Sequence, residues 1–309
     1  MNIIEFGDCR DIMRRWASEG VKAQTCVTSP PYYGLRDYGH EGQIGLEETP
    51  EEYIVAMVEV FRCVRDVLAD DGTVWLNIGD SYCNSNGFAR ASPEYQREGR
   101  NNMPANDRKL DKLHGAGYKT KDLIGIPWML AFALRDDGWY LRQDIIWHKP
   151  NPMPESVIDR CTKSHEYIFL LSKSQKYYFD HESIKEQAKV SSEGIRFGGS
   201  KYGDSDDPKH ATKSGNVSKE YEKANKRSVW TVTTKPYEGA HFAVFPSELI
   251  EPCILAGAPA GGIVLDPFMG SGTTAQVAQN LGRKYLGCEL NIDYKPLQDK
   301  RVAQQALAI

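Results

Sequence analysis

The sequence predicts an α/β fold, a mainly parallel sheet with helices on both faces and polar segments inserted into it. Three observations predict it. Strand-like and helix-like runs alternate at both ends of the chain, the pattern of βα units on a parallel sheet. The strand-like runs end in turn chemistry, at Gly7-Asp8, Thr28 to Tyr33, Gly79-Asp80, Asp266 to Thr274 and Glu289, and ligands of such sheets sit at the carboxyl ends of strands. Residues 84–121 and 188–228 lack periodicity and are rich in Gly, Ser, Asn, Lys and Arg, as inserts would be.

Taken in order, Asn2 to Phe6 is a short β-prone run, followed by an amphipathic helix carrying Ile12, Met13 and Trp16. Ala23 to Val27 reads as a strand running into Thr28-Ser29-Pro30-Pro31-Tyr32-Tyr33. Two successive prolines offer no N–H to a ladder, so the chain leaves the sheet there. Pro50 suits a helix start, and Tyr53, Met57, Val60, Phe61, Val64 and Leu68 follow at helical spacing. Thr73 to Ile78 is a buried-strand candidate. Between the inserts lie a helix (Pro127 to Arg135), a strand (Tyr140 to Trp147) and an apolar run (Tyr167 to Leu171). A helix from Ser247 to Ala256, a strand from Gly262 to Leu265, a Gly-rich turn, a helix to Leu281 and a strand from Lys284 to Glu289 complete the pattern. This divides the chain into a first half (1–83), a basic insert (84–121), the remainder of the first half (122–187), a polar and basic insert (188–240) and a second half (241–309).

Composition excludes several classes. The 309 residues are 40% hydrophobic, enough for a large core without staples. No apolar run approaches the roughly 18 residues of a membrane helix. Met1 to Arg10 lacks a basic-then-apolar signal, so a cytoplasmic location is expected. Seven cysteines stand singly with no CxxC, which argues against a disulfide framework and a structural zinc site, and no metal is expected. The net charge of −4 means that a nucleic-acid surface must be a local patch. Residues 85–121 supply one, with 8 Lys/Arg against 4 Asp/Glu.

Two strand ends carry chemistry. Leu265-Asp266-Pro267-Phe268-Met269-Gly270-Ser271-Gly272-Thr273-Thr274 follows an apolar strand and opens a helix. Its glycines permit a tight turn and a close ligand approach, and the amides of the following helix face outward. Glu289 ends the next strand, 23 positions after Asp266, where a carboxylate can take ribose hydroxyls. The bland alternative is a tight strand–helix connection. No Gly-Lys-Ser/Thr follows, so this is not a phosphate-binding P-loop. A pyrophosphate would not want Asp266 in the turn. S-adenosylmethionine fits better, having an adenosine and an ammonium but no phosphate.

Ser29-Pro30-Pro31-Tyr32 is the second constellation. An exocyclic base amine is a poor nucleophile because its lone pair is delocalised into the ring. A Ser oxygen and a proline-fixed carbonyl supply two rigid acceptors that favour a pyramidal nitrogen. Tyr32 offers a π-face to an extruded base. The alternative is a proline turn with a surface aromatic.

Together TSPPYYG (28–34) and LDPFMGSGTT (265–274) resemble the amino-group DNA methyltransferases that modify cytosine N4 or adenine N6, in the circularly permuted β order. GDC (7–9), LNIGDSY (76–82), IIWHKPNPMP (145–154), SHEYI (164–168) and HFAVFP (241–246) extend the resemblance over the chain outside 84–121 and 188–228. The resemblance implies a seven-stranded-type methyltransferase sheet with an inserted target-recognition region. It implies S-adenosylmethionine as cofactor, held by Asp266, Phe268, Gly270, Gly272 and Thr273, with Glu289 on the ribose and Asp8 at the adenine. Phe245 and Pro246 would pack on the methionine end, and Ser29, Pro30, Pro31 and Tyr32 would form the catalytic base pocket. Asp8 would end the strand next to that of Glu289. The resemblance implies double-stranded DNA as the target; within that family a leading Ser is commoner in cytosine-N4 enzymes, so cytosine N4 is expected, with adenine N6 the alternative and an RNA or protein amine a remote one. Relatives of this group often pair, so a homodimer is a further expectation, through apolar helix faces after Pro50 or Pro246 unless these are core. A nuclease partner is unknown.

The remaining residues each carry two readings. Lys149, beside Trp147 and His148, is a solvated neighbour of a strand-end aromatic or a phosphate contact. Arg97, Arg100 and Arg108 are solvated loop residues or DNA contacts. His165-Glu166 is a functional pair or, the favoured reading, a structural hydrogen-bonded one, and Asp80 is a turn cap or a pocket border.

Overall fold

The computed structural model describes residues 1–35, 39–40, 42–83, 113–188, 223–234 and 245–303. Arg97, Arg100 and Arg108 lie outside the described residues, as does most of each insert. Among the described residues one eight-stranded sheet runs in the order β1 (Asn2–Phe6), β10 (Lys284–Glu289), β9 (Ile263–Asp266), β2 (Ala23–Thr28), β3 (Leu68–Ile78), β5 (His165–Ser172), β4 (Tyr140–His148), β8 (Val229–Thr231). Only β5 runs against the others. Phe6 pairs with Glu289, so the acids expected at the ends of β1 and β10 are neighbours, although they stand at opposite ends of the chain.

Helices cover both faces. Asp8 caps α1 (Cys9–Ser18) by accepting from Arg10 N–H at 2.8 Å. Thr49 and Glu52 form a reciprocal capping box at the start of α2 (Pro50–Val67), with Pro50 in its first turn. These two helices and α3 (Ile126–Asp136) bury Met13, Trp16, Tyr53, Phe61 and Leu130 against one face. On the other face, α4 (Ser247–Gly257) and α5 (Thr273–Asn280) pack Leu249, Ile254 and Val277 around Trp75, Trp147 and Trp230. The strand period of two sorts the side chains: Val74 and Leu76 belong to the first core, Trp75 to the second. The apolar faces after Pro50 and Pro246 are therefore core and are not dimer surfaces. A final helix, α6 (Lys295–Ala303), follows β10.

Both inserts leave and return over short antiparallel stems. Tyr82 bridges Leu123, with Ile124 N–H donating to Ser81 at 3.0 Å and Cys83 N–H to Asp122 at 2.9 Å. The second stem pairs β6 (Glu186–Gln187) with β7 (Lys223–Ala224). The structure corrects one boundary. Val229–Thr231, assigned by sequence to the insert ending at 240, is a strand of the main sheet, and its Trp230 is buried. No helix among the described residues is long and apolar enough to cross a membrane.

Candidate active site

The carboxyl ends of β1, β10, β9, β2, β3 and β4 open into one cavity of about 900 Å³. Asp8, Ser29, Pro30, Pro31, Tyr32, Lys149, Phe245, Asp266, Phe268, Gly270, Thr273 and Glu289 all line it. Two sequence-predicted site residues stand behind the wall. Pro246 is buried at the start of α4, and Gly272 precedes α5 with φ +88°, a left-handed conformation that favours glycine.

At one end Asp266 is 1% exposed. Its Oδ1 accepts from Thr28 Oγ1 at 2.6 Å and Phe268 N–H at 3.0 Å, and its Oδ2 from Thr274 Oγ1 at 2.6 Å. Burial pushes its carboxyl up to about 6. A carboxylate has about four acceptor sites, so one remains for a ligand donor. Glu289 accepts from Gly270 N–H at 2.7 Å and Asn291 N–H at 2.8 Å, tying the glycine turn to β10, and burial raises its carboxyl too. Asp8 differs: hydrogen bonding from the Arg10 guanidinium holds it below the usual carboxylate range.

This donor set fits S-adenosylmethionine. Ser271 Oγ is buried with no hydrogen-bond partner among the described residues, and it lines the cavity beside the carboxylates of Glu289 and Asp266. Lys149 is the one Lys or Arg among the described lining residues, and it is ion-paired with Glu166. A pyrophosphate would find no free Lys or Arg among the described lining residues, whereas a cationic, phosphate-free ligand meets acids.

At the other end Tyr32 Oη donates to Glu166 Oε2 at 2.8 Å and lies 3.3 Å from Asn77 Oδ1 and 3.5 Å from Ser29 Oγ. Its ring lies on Gly79, where an added Cβ would sit 2.6 Å from ring atom Cε2. Burial first, and Glu166 second, push the phenol well above its ordinary value; it is a neutral donor. Tyr53 Oη occupies the Pro31 carbonyl at 2.9 Å, and among the described residues nothing donates to that of Pro30. Lys149 pairs with Glu166 and lies 4.2 Å from the Trp147 ring centroid. Its charge is thus engaged inside the cavity.

Sequence reasoning missed Glu166 and Asn77 as pocket residues. Each is a polar residue at the end of an apolar run, Asn77 after Val74-Trp75-Leu76 and Glu166 before Tyr167 to Leu171, and that was the available signal. Asp80 proves to be a cap: its Oδ1 accepts from the N–H groups of Ser81, Gly125 and Ile126 at the start of α3.

A family model described as DNA methylase matches residues 23–300. The chain belongs to the DNA methylase family. This methylase is 48% identical over 302 residues to the Type II methyltransferase M.SmaI of Serratia marcescens, covering 98% of this chain and 91% of that protein. It is 46% identical over 296 residues to the Type II methyltransferase M.Cfr9I of Citrobacter freundii, covering 96% and 86%. The solved PvuII DNA methyltransferase (cytosine-N4-specific) matches with a TM-score of 0.62 at 17% identity, covering 97% of the methylase and 86% of that chain. The M1.HpyAVI–SAM complex matches at 0.53 and 17%, covering 97% and 100%. At such identities the structural likeness shows the fold. The methylase is an S-adenosylmethionine-dependent DNA amino-methyltransferase.

Proposed function

We propose that the methylase modifies cytosine N4 in double-stranded DNA at the Ser29–Tyr32 pocket. The observation that carries this is the placement of Ser29 and of the Pro30 carbonyl, to which nothing among the described residues donates, at the end of β2 in the same cavity as Glu289 and the Gly270 turn. The leading Ser29 favours cytosine N4.

S-adenosylmethionine supplies a methyl electrophile on a sulfonium. Glu289 accepts ribose hydroxyls, Asp8 faces the adenine, and Asp266 uses its remaining acceptor site for the ammonium. Phe245 and Phe268 close apolar surface over the ligand, while the Gly270–Thr273 turn lets its backbone approach. Tyr32 stacks on the extruded base. Ser29 Oγ and the Pro30 carbonyl would accept the two amine N–H groups and turn the nitrogen lone pair toward the methyl; the N–CH3 bond would form as the methyl–sulfur bond breaks, its electron pair leaving with the thioether of S-adenosylhomocysteine. The proton leaves to water. Arg97, Arg100 and Arg108 contact DNA phosphates. Lys149, already held by Glu166, serves DNA binding at the base pocket rather than on the backbone.

Two copies, one per strand of a symmetric site, and a cytoplasmic setting belong to the same proposal. Light scattering at twice the 34.8 kDa chain mass checks the first. The test of function is transfer of labelled methyl to DNA followed by nucleoside mass spectrometry, with long-read sequencing to find the site. N4-methylcytosine is the expected product. N6-methyladenine would change the base, and 5-methylcytosine would overturn the mechanism.

A further inference from the structure

The loop after β4 reaches the cavity mouth with a braced apolar tip. Pro150, Pro152 and Pro154 alternate with Asn151 and Met153, and each proline fixes its φ. Before the tip, the Asn151 amide donates to the Thr234 carbonyl and accepts from Thr234 N–H, both at 3.0 Å. After it, Glu155 accepts from Arg160 at 2.7 Å and from Lys163 N–H at 3.1 Å, and Arg160 lies 4.1 Å from the Tyr82 ring centroid. Asp159 is paired with Lys121 at 2.6 Å. Both acids of the loop are thus neutralised, so they do not repel a phosphate backbone.

Between these braces stands Met153, 85% exposed yet lining the same cavity as Tyr32. An isolated exposed methionine is ordinary on a surface; one held between prolines at the mouth of a base pocket has a specific neighbour. A base drawn into the pocket leaves a gap in the stack beside that mouth, and apolar wedges, methionine among them, fill such gaps in DNA. A flexible thioether side chain adapts to an irregular space.

We infer that Met153 is the wedge that enters the DNA stack as the target base moves into the Tyr32 pocket. This rests on the proposed base-flipping function. It makes Met153 a positioning residue: it touches neither the reacting amine nor the methyl.

The test compares single-turnover methyl transfer on two duplexes carrying the methylated site. In one the target base is fully paired; in the other it faces an abasic position, so its pairing is already lost. Met153→Ala is expected to slow transfer about tenfold on the paired duplex and less than about twofold on the abasic one, while Met153→Leu retains the rate on both. Equal slowing on the two duplexes, or no slowing on the paired one, would overturn the wedge. Absence of amine methylation by the unaltered protein would overturn the proposed function instead. The exposure of Met153 keeps both variants foldable.

Discussion

The Glu166 carboxylate accepts the Tyr32 phenol at 2.8 Å and pairs with the Lys149 ammonium, while its own side chain is 16% exposed. One carboxylate on β5 thereby joins residues delivered by the ends of β2 and β4. A charge-assisted bond of this kind contributes about 1.5–3 kcal/mol, and removing one partner of a partly buried pair leaves the other unsatisfied.

Glu166→Ala should therefore slow single-turnover transfer by tenfold or more, about 1.4 kcal/mol per tenfold, with cofactor affinity unchanged by calorimetry. Glu166→Gln, which keeps an acceptor for the phenol, should fall between. Unimpaired transfer from Glu166→Ala would show the network to be incidental.

Gly79→Ala is a sharper probe of the same ring. The new methyl would lie 2.6 Å from Cε2 and 3.1 Å from Cδ2 of Tyr32, so the ring must shift from the place where it is proposed to stack on the base. Transfer and the fluorescence of an extruded base analogue should both drop, while the melting temperature changes little.

Cofactor affinity should depend on pH with a sign fixed by Asp266. Its folded carboxyl titrates near 6, raised by burial above the ordinary 3.8. Above about pH 6 it is charged and can hold an ammonium; as pH falls through 6 it protonates and that interaction fades. The same shift works the other way on stability. The unfolded chain ionises first, so this group's contribution to stability falls as pH rises from about 4 to 6 and is constant beyond. Calorimetric affinity for S-adenosylmethionine should weaken below pH 6, and Asp266→Asn should weaken binding at pH 7 while flattening that limb. Glu289→Ala should cost binding about 1.5–3 kcal/mol. A pH-independent affinity in the unaltered protein would remove Asp266 from the ammonium site.

Replacing Arg97, Arg100 and Arg108 by Ala should weaken DNA binding and make the slope of log affinity against log salt shallower, by about 0.9 for each phosphate that is no longer neutralised. Cofactor affinity should hold. An unchanged slope would make the three arginines solvated surface.

Much of this architecture was legible from sequence because its signals were local. The expected strands of β1 and β10 match the observed bounds, and α3 differs from expectation by one residue at each end. Glu289 could be named because a parallel strand delivers its last residue to the edge where the glycine turn lies, whereas Asp8, just beyond β1, was named from the family resemblance. Glu166 could not. It is the second residue of β5, the strand that runs backwards, and only that reversal brings a strand's beginning to the edge where the others end. Strand direction leaves no mark in an apolar run. β8 escaped because three residues within a polar stretch carry no periodicity; its pairing with β4 creates the strand. α6 buries only Gln298, so it had no apolar stripe to find. β3 begins at Leu68 rather than Thr73 because the chain passes irregularly through Asp70-Asp71-Gly72 while its ends keep register with β2.

The interleaved strand order has a consequence for biosynthesis. β1 and β2 follow one another in the chain, yet β10 and β9 stand between them in the sheet. A ribosome delivers the amino-terminal strands first, and they have no common neighbour until residues 263–289 emerge. The Pro-Pro-Tyr turn is thus made early and walled late. A nascent chain carries the residues that would grip a base without the wall that would hold the methyl donor, so the capacity to mark DNA arrives only when synthesis of the sheet is nearly over.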